Sequence, residues 1–92
     1  MAKELYLNSV KEIVNKIDPI GLLKQGAPSD EYESEIQLIV KGLRACSNIE
    51  DIQNLTYNIF KDSFGQDMAG NISIYYEIAK NIFDKIKNKP SS

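Results

Sequence analysis

The run Ser47-Asn48-Ile49-Glu50-Asp51-Ile52-Gln53-Asn54-Leu55-Thr56-Tyr57-Asn58-Ile59-Phe60-Lys61-Asp62-Ser63-Phe64-Gly65 pulls two ways. Its Ile, Thr, Tyr and Phe are strand formers. Yet Ile49, Ile52, Leu55, Ile59 and Phe60 recur at the 3.6-residue period of a helix, not at the alternation of a strand. Ser47 and Glu50 form an S-x-x-E capping box at one end. Phe64-Gly65 reads as a helix stop at the other. The spacing predicts a helix here, and with it an all-α chain.

Working outward, the same period recurs on both sides. Ile36, Ile39, Val40 and Leu43, with Tyr32 one turn earlier, make the buried stripe of a preceding helix. Asp30 and Glu33 stand three apart as a capping pair, so this helix is expected to begin near Asp30. Further upstream, Tyr6, Val10, Ile13, Val14 and Ile17 line one face of a first helix that Asp18-Pro19 interrupts. Asp18 as N-cap and Pro19 as first helical residue then predict a short helical turn that tucks Ile20, Leu22 and Leu23 inward. Downstream, residues 66–70 read as a polar loop apart from Met68 and Ala69. Asn71 or Ser73 caps a last helix with Tyr75, Ile78, Ala79, Ile82 and Ile86 on its apolar face. Tyr57 and Tyr76 are expected outside the core, as contact candidates. The expected architecture is a compact bundle of about four helices, with a short helical turn after the first. It forms a single domain over residues 1–92, with a frayed tail at 88–92.

Composition bounds the chemistry. Ninety-two residues fit one small domain, and 42% hydrophobic residues are ordinary for a folded protein. Eleven Lys and Arg against thirteen Asp and Glu leave a formal charge of -2, unlike the basic excess of a nucleic-acid binder. His is absent and Cys46 is the only cysteine, so most zinc ligand sets and any internal disulfide are excluded. No run of about 18 apolar residues suggests a membrane span, and Met1-Ala2-Lys3-Glu4 is too polar to open a signal peptide. The expectation is a cytoplasmic protein without a cofactor.

The charge is unevenly placed. Residues 1–29 carry +1 and residues 68–92 carry +2, the latter through Lys80, Lys85, Lys87 and Lys89 against Glu77 and Asp84. Residues 30–67 hold eight acids against Lys41, Arg44 and Lys61, a net of -5. Carboxylates at helix starts serve the dipole and solubility. They also suit an acidic docking surface for a basic partner. The candidate partner-binding residues are Asp30, Glu31, Glu33, Glu35, Glu50 and Asp51. Catalysis fits poorly, because acids on exposed first turns stay ionised and solvated, and no calcium-loop or phosphate-binding glycine pattern is present. Cys46 has no His to act as base and reads as a small residue at a turn.

Three ordered motifs carry a family resemblance over roughly residues 5–86. They are Ile17-Asp18-Pro19-Ile20-Gly21-Leu22, then Ala27-Pro28-Ser29-Asp30-Glu31-Tyr32-Glu33-Ser34-Glu35-Ile36, then Ile59-Phe60-Lys61-Asp62-Ser63-Phe64-Gly65; Glu77-Ile78-Ala79-Lys80-Asn81-Ile82 follows. The chain resembles the small helical proteins catalogued as domain of unknown function 1871, whose signature runs W-D-P-I-G-L, A-P-x-D-E-Y-D-x-E-I and I-F-x-x-x-F-G. Ile17 stands here in place of the Trp, and Glu33 in place of an Asp. The resemblance implies an all-α fold without known catalytic residues. It also implies kinship with immunity proteins of bacterial polymorphic-toxin and contact-dependent growth inhibition systems. Such a protein is not an enzyme: it binds one cognate toxin domain stoichiometrically, and an acidic helix suits the basic cleft of a nuclease toxin; the oligomeric state is open, with a monomer before toxin binding as the expectation. The alternative is a housekeeping helical protein that self-associates or acts as an adaptor.

Overall fold

Four long helices and one short one follow in order, and the computed structural model describes residues 2–26 and 31–87. They are α1 (Ala2–Ile17), α2 (Glu33–Gly42), α3 (Ile49–Phe64), α4 (Gln66–Ala69) and α5 (Ile74–Ile82). A single 3-10 turn, Leu43–Ala45, extends α2, and a π-type turn, Phe83–Lys87, extends α5. Among the described residues there is no strand. The all-α expectation holds, and so does helix over strand at α3.

Each helix turns an apolar stripe inward. Helix α1 packs against α2 and α5, and α3 closes the ring by packing against α2, α4 and α5. Val10 and Val14 meet Ile36, Ile39 and Val40 of α2, Ile52 and Phe60 of α3, and Tyr75, Ile78, Ala79 and Ile82 of α5 in one buried core. The radius of gyration is 12.5 Å, close to the roughly 12.3 Å expected for this length. Phe60 sits at the aromatic centre, with ring centroids 5.6 Å from Tyr32, 5.8 Å from Phe64 and 5.5 Å from Tyr75. Thr56 is a fully buried polar residue within this core. Its hydroxyl donates back to the Ile52 carbonyl at 3.0 Å, so no donor is stranded.

The helix ends explain most departures from the sequence reading. Helix α3 starts one residue later than the Ser47/Glu50 box implies. Asn48 is its N-cap and accepts the Asp51 N–H at 2.8 Å, while the Asp51 carboxylate accepts the Ser47 N–H at 3.0 Å. The two frames contain the same chemistry, so spacing alone does not separate them. The stop is where it was expected: Gly65 adopts φ 88°, and its N–H returns to the Lys61 carbonyl at 2.8 Å. The expected loop at 66–70 is instead the single turn α4, bounded by Gly65 and by Gly70 at φ 79°. Asn71 accepts the Ser73 N–H at 3.0 Å before α5.

Helix α2 begins at Glu33, later than the predicted start, with Tyr32 as N-cap and no side-chain cap. Asp30 lies outside the described residues, as does the expected tail at 88–92. In α1, Tyr6 is 38% exposed rather than core. The buried stripe centres on Val10 and Val14, and Leu7, nearer that centre than Tyr6, packs on the core in its place. Tyr57 is half-buried against Tyr75, at 5.8 Å between centroids, whereas Tyr76 is exposed as expected.

Candidate functional site

Five of the six acids singled out in the sequence fall among the described residues, and the structure does not present these five as one surface. Glu31, just before α2, is exposed. Glu33 is half-buried and pairs with Lys11 of α1 at 3.5 Å. Glu35 is only 8% exposed, because it falls on the same side of α2 as Ile36 and Ile39. It is thus corrected from docking charge to a carboxylate set among core residues. On α3, Glu50 is exposed, whereas Asp51 is half-buried and occupied as a cap. Asp30 falls outside the described residues. What remains available is Glu31 and Glu50, joined by Asp62 and Asp67, which are also exposed. Among the described residues none of these four makes an ion pair.

A second constellation escaped the sequence reading. Asp18 is no N-cap for Pro19. It ends α1 in the left-handed region at φ 52°, with its N–H on the Val14 carbonyl at 2.7 Å. An Asp tolerates that conformation because its short side chain finds local partners. The carboxylate folds over the next turns and accepts the Leu23 N–H at 3.2 Å and the Lys24 N–H at 3.1 Å. It also accepts the Tyr32 hydroxyl at 2.6 Å, and that hydroxyl in turn accepts the Leu22 N–H at 3.3 Å. The expected helical turn is therefore a series of tight turns, with Gly21 at φ 84°. Ile20, Leu22 and Leu23 do pack on the core, but only half-buried.

Electrostatics follow from this geometry. Burial alone raises the Asp18 carboxyl. The Tyr32 hydroxyl, the two backbone N–H groups and the Lys24 charge outweigh it and hold the group below the ordinary 3.8. Tyr32 is pushed up to about 12, first by burial and then by the carboxylate that its proton faces. Tyr75, donating to the Ala69 carbonyl at 2.8 Å, is likewise pushed up to about 12 by burial. With three donors on one carboxylate, the Asp18 cluster is built for holding the backbone rather than for moving protons. Two signals in the sequence pointed to it. A Tyr on a core stripe needs a partner for its hydroxyl, and an Asp before Pro is a turn former.

A groove of about 320 Å³ also runs between α1 and α5, lined by Glu12, Ile13, Lys16, Ile17, Glu77, Asn81 and Lys85. Its two Glu and two Lys balance, and Lys85 already reaches Glu12 at 3.9 Å. It thus offers no excess of either charge to a ligand. Among the described residues, no three Cys, Asp or Glu gather as a metal site. Cys46 is buried beside the end of α2, its Sγ donating to the Gly42 carbonyl at 3.6 Å. Among them, too, no helix is long and apolar enough to cross a membrane.

No family model, no curated protein and no solved structure matches the chain.

Proposed function

We propose that this chain is an immunity protein that neutralises a cognate toxin domain by stoichiometric binding, without catalysis. The observation that carries the proposal is the set of exposed, unpaired acids, Glu31, Glu50, Asp62 and Asp67, left on the surface by folding. Exposed acids without internal partners remain free to steer and hold a basic protein surface. Of the buried titratable groups, Asp18, Tyr32 and Tyr75 are taken up by hydrogen bonds within the fold. A nuclease toxin suits this partner best, since its cleft must be basic to bind nucleic acid.

The test is co-expression with the toxin domain encoded beside this gene, followed by calorimetry on the purified pair. Protection of the cells and a one-to-one complex are expected. No toxin gene at that place and no protection would overturn the reading.

One observation favours the second reading, self-association or adaptor binding. Met68, Ile72 and Ile74 are exposed around the α4–α5 junction, and Tyr76 is exposed within the first turn of α5. Gln53 of α3 donates to the Ile72 carbonyl at 3.0 Å, and Glu50 lies one turn before it on the same helix face. Apolar side chains with a charged flank have the composition of an interface. Sedimentation velocity separates the readings: a dimer without any toxin supports the second.

A further inference from the structure

Residues 19–26 are attached to the rest of the molecule in an unusual way. Five consecutive N–H groups, from Leu22 to Gly26, are all hydrogen-bonded. Gln25 and Gly26 donate within the segment, to Leu22 and Leu23 at 3.1 Å each. Apart from the Gly21 N–H on the Asp18 carbonyl at 3.0 Å, the hydrogen bonds that tie the segment to a helix end pass through two side chains, the Asp18 carboxylate after α1 and the Tyr32 hydroxyl before α2. Its remaining hold is the half-buried packing of Ile20, Leu22 and Leu23, while Lys24, Gln25 and Gly26 are exposed. Left-handed residues stand along it, Asp18 at φ 52°, Gly21 at 84° and Gly26 at 100°, and the two glycines have open space where a side chain would lie. Those positions permit backbone rotation at no packing cost.

We infer that residues 19–26 form a strap that opens as one unit while the four-helix core stays closed, and that Asp18 and Tyr32 are its clasp. Opening breaks one compact hydrogen-bond cluster and a partial apolar contact, and leaves the Phe60-centred core in place. Segments with few buried contacts and their own hydrogen-bond set open below the global unfolding free energy. The open strap uncovers the Tyr32 hydroxyl and the apolar side chains of Ile20, Leu22 and Leu23. The inference gives a role to the Ile17-Asp18-Pro19-Ile20-Gly21-Leu22 motif, which an acidic docking surface does not use.

The test is native-state hydrogen exchange on the full chain, in wild type, Asp18→Asn and Tyr32→Phe. Asn also tolerates the left-handed conformation, so Asp18→Asn keeps the backbone and removes the charge. In both variants the amides of Leu22 to Gly26 are expected to exchange roughly ten- to a hundredfold faster, the change in opening equilibrium that loss of charge-assisted bonds brings. In wild type the five strap amides are expected to share one opening free energy with a small urea dependence, both below those of the Ile52, Thr56 and Phe60 amides in α3, which open only with the whole fold. Strap amides that match the α3 amides in opening free energy and urea dependence would overturn the inference, since the segment would then open only with the whole fold. Unchanged strap exchange in both variants would overturn it as well. Should Asp18→Asn fail to fold, Tyr32→Phe decides alone, because its ring keeps the aromatic packing.

Discussion

Replacing Tyr32 by Phe removes one oxygen from a site whose geometry assigns that atom two tasks. The hydroxyl donates to the Asp18 carboxylate at 2.6 Å and accepts the Leu22 N–H at 3.3 Å. A hydrogen bond to a charged group contributes about 1.5–3 kcal/mol, and an ordinary one about 0.5–1.5 kcal/mol. Packing is preserved, because the ring still meets Phe60 and Phe64 edge-on at 5.6 and 6.2 Å. The expected loss at pH 7 is therefore about 2–4 kcal/mol, or a fall in Tm of roughly 10–25 °C for a domain of this size. Urea denaturation of both proteins at fixed temperature measures it. The pH dependence adds a second reading. Asp18 has a folded pKa below 3.8, so the stability it lends is present above that value and is lost as pH falls through the folded pKa. The gap between wild type and variant is thus expected to narrow in acid. A difference within about 0.5 kcal/mol at pH 7, the size of an ordinary surface substitution, would refute the reasoning.

Three further outcomes follow from the same structure. Leu23→Ala is expected to cost roughly 1–2 kcal/mol by chemical denaturation, less than the 2–5 kcal/mol of a fully buried Leu, because Leu23 is half-buried. Asn48→Ala removes the acceptor for the Asp51 N–H and is expected to cost about 1 kcal/mol, with loss of helicity at the start of α3 followed by NMR chemical shifts. Alkali is expected to destabilise the fold between pH 10 and about 12, because Tyr32 and Tyr75 have folded pKa values raised to about 12 from an ordinary 10.0. Their contribution is complete below pH 10 and lost as pH rises through the folded values, and Tyr32→Phe should retain only the Tyr75 part of that fall.

The helices were legible because their signal is periodic and local. Ile36, Ile39 and Val40, or Tyr75, Ile78, Ala79 and Ile82, recur at the helical spacing and are buried where that spacing puts them. Gly65 was legible for a similar reason, since a left-handed helix end favours glycine. The candidate site was read less well. Which acids stay on the surface depends on the rotation of α2 about its axis, which buries Glu35, and on where the helix starts, which leaves Glu31 ahead of it and exposed. The role of Asp18 depends on Tyr32, fourteen residues away. Local capping rules contain no term for such a partner, so they assigned Asp18 to the nearest helix start. At Tyr6 the period was right and the stripe's centre was misjudged by a fraction of a turn.

The proposal of partner binding rests on acids that folding leaves exposed, and the double variant Glu31→Lys/Glu50→Lys tests it most directly. Neither residue is paired or buried, and reversal at the start of α3 costs only about 0.3–1 kcal/mol through the helix dipole. Circular dichroism should therefore show a folded, helical protein. The measurement is the Kd for the adjacent gene's toxin domain, at low and at physiological salt. A rise of at least about tenfold is expected, mostly through slower association, with the wild-type advantage shrinking as salt screens exposed charges over about 8 Å. An unchanged Kd in the folded double variant would contradict the account and take these two acids out of the interface.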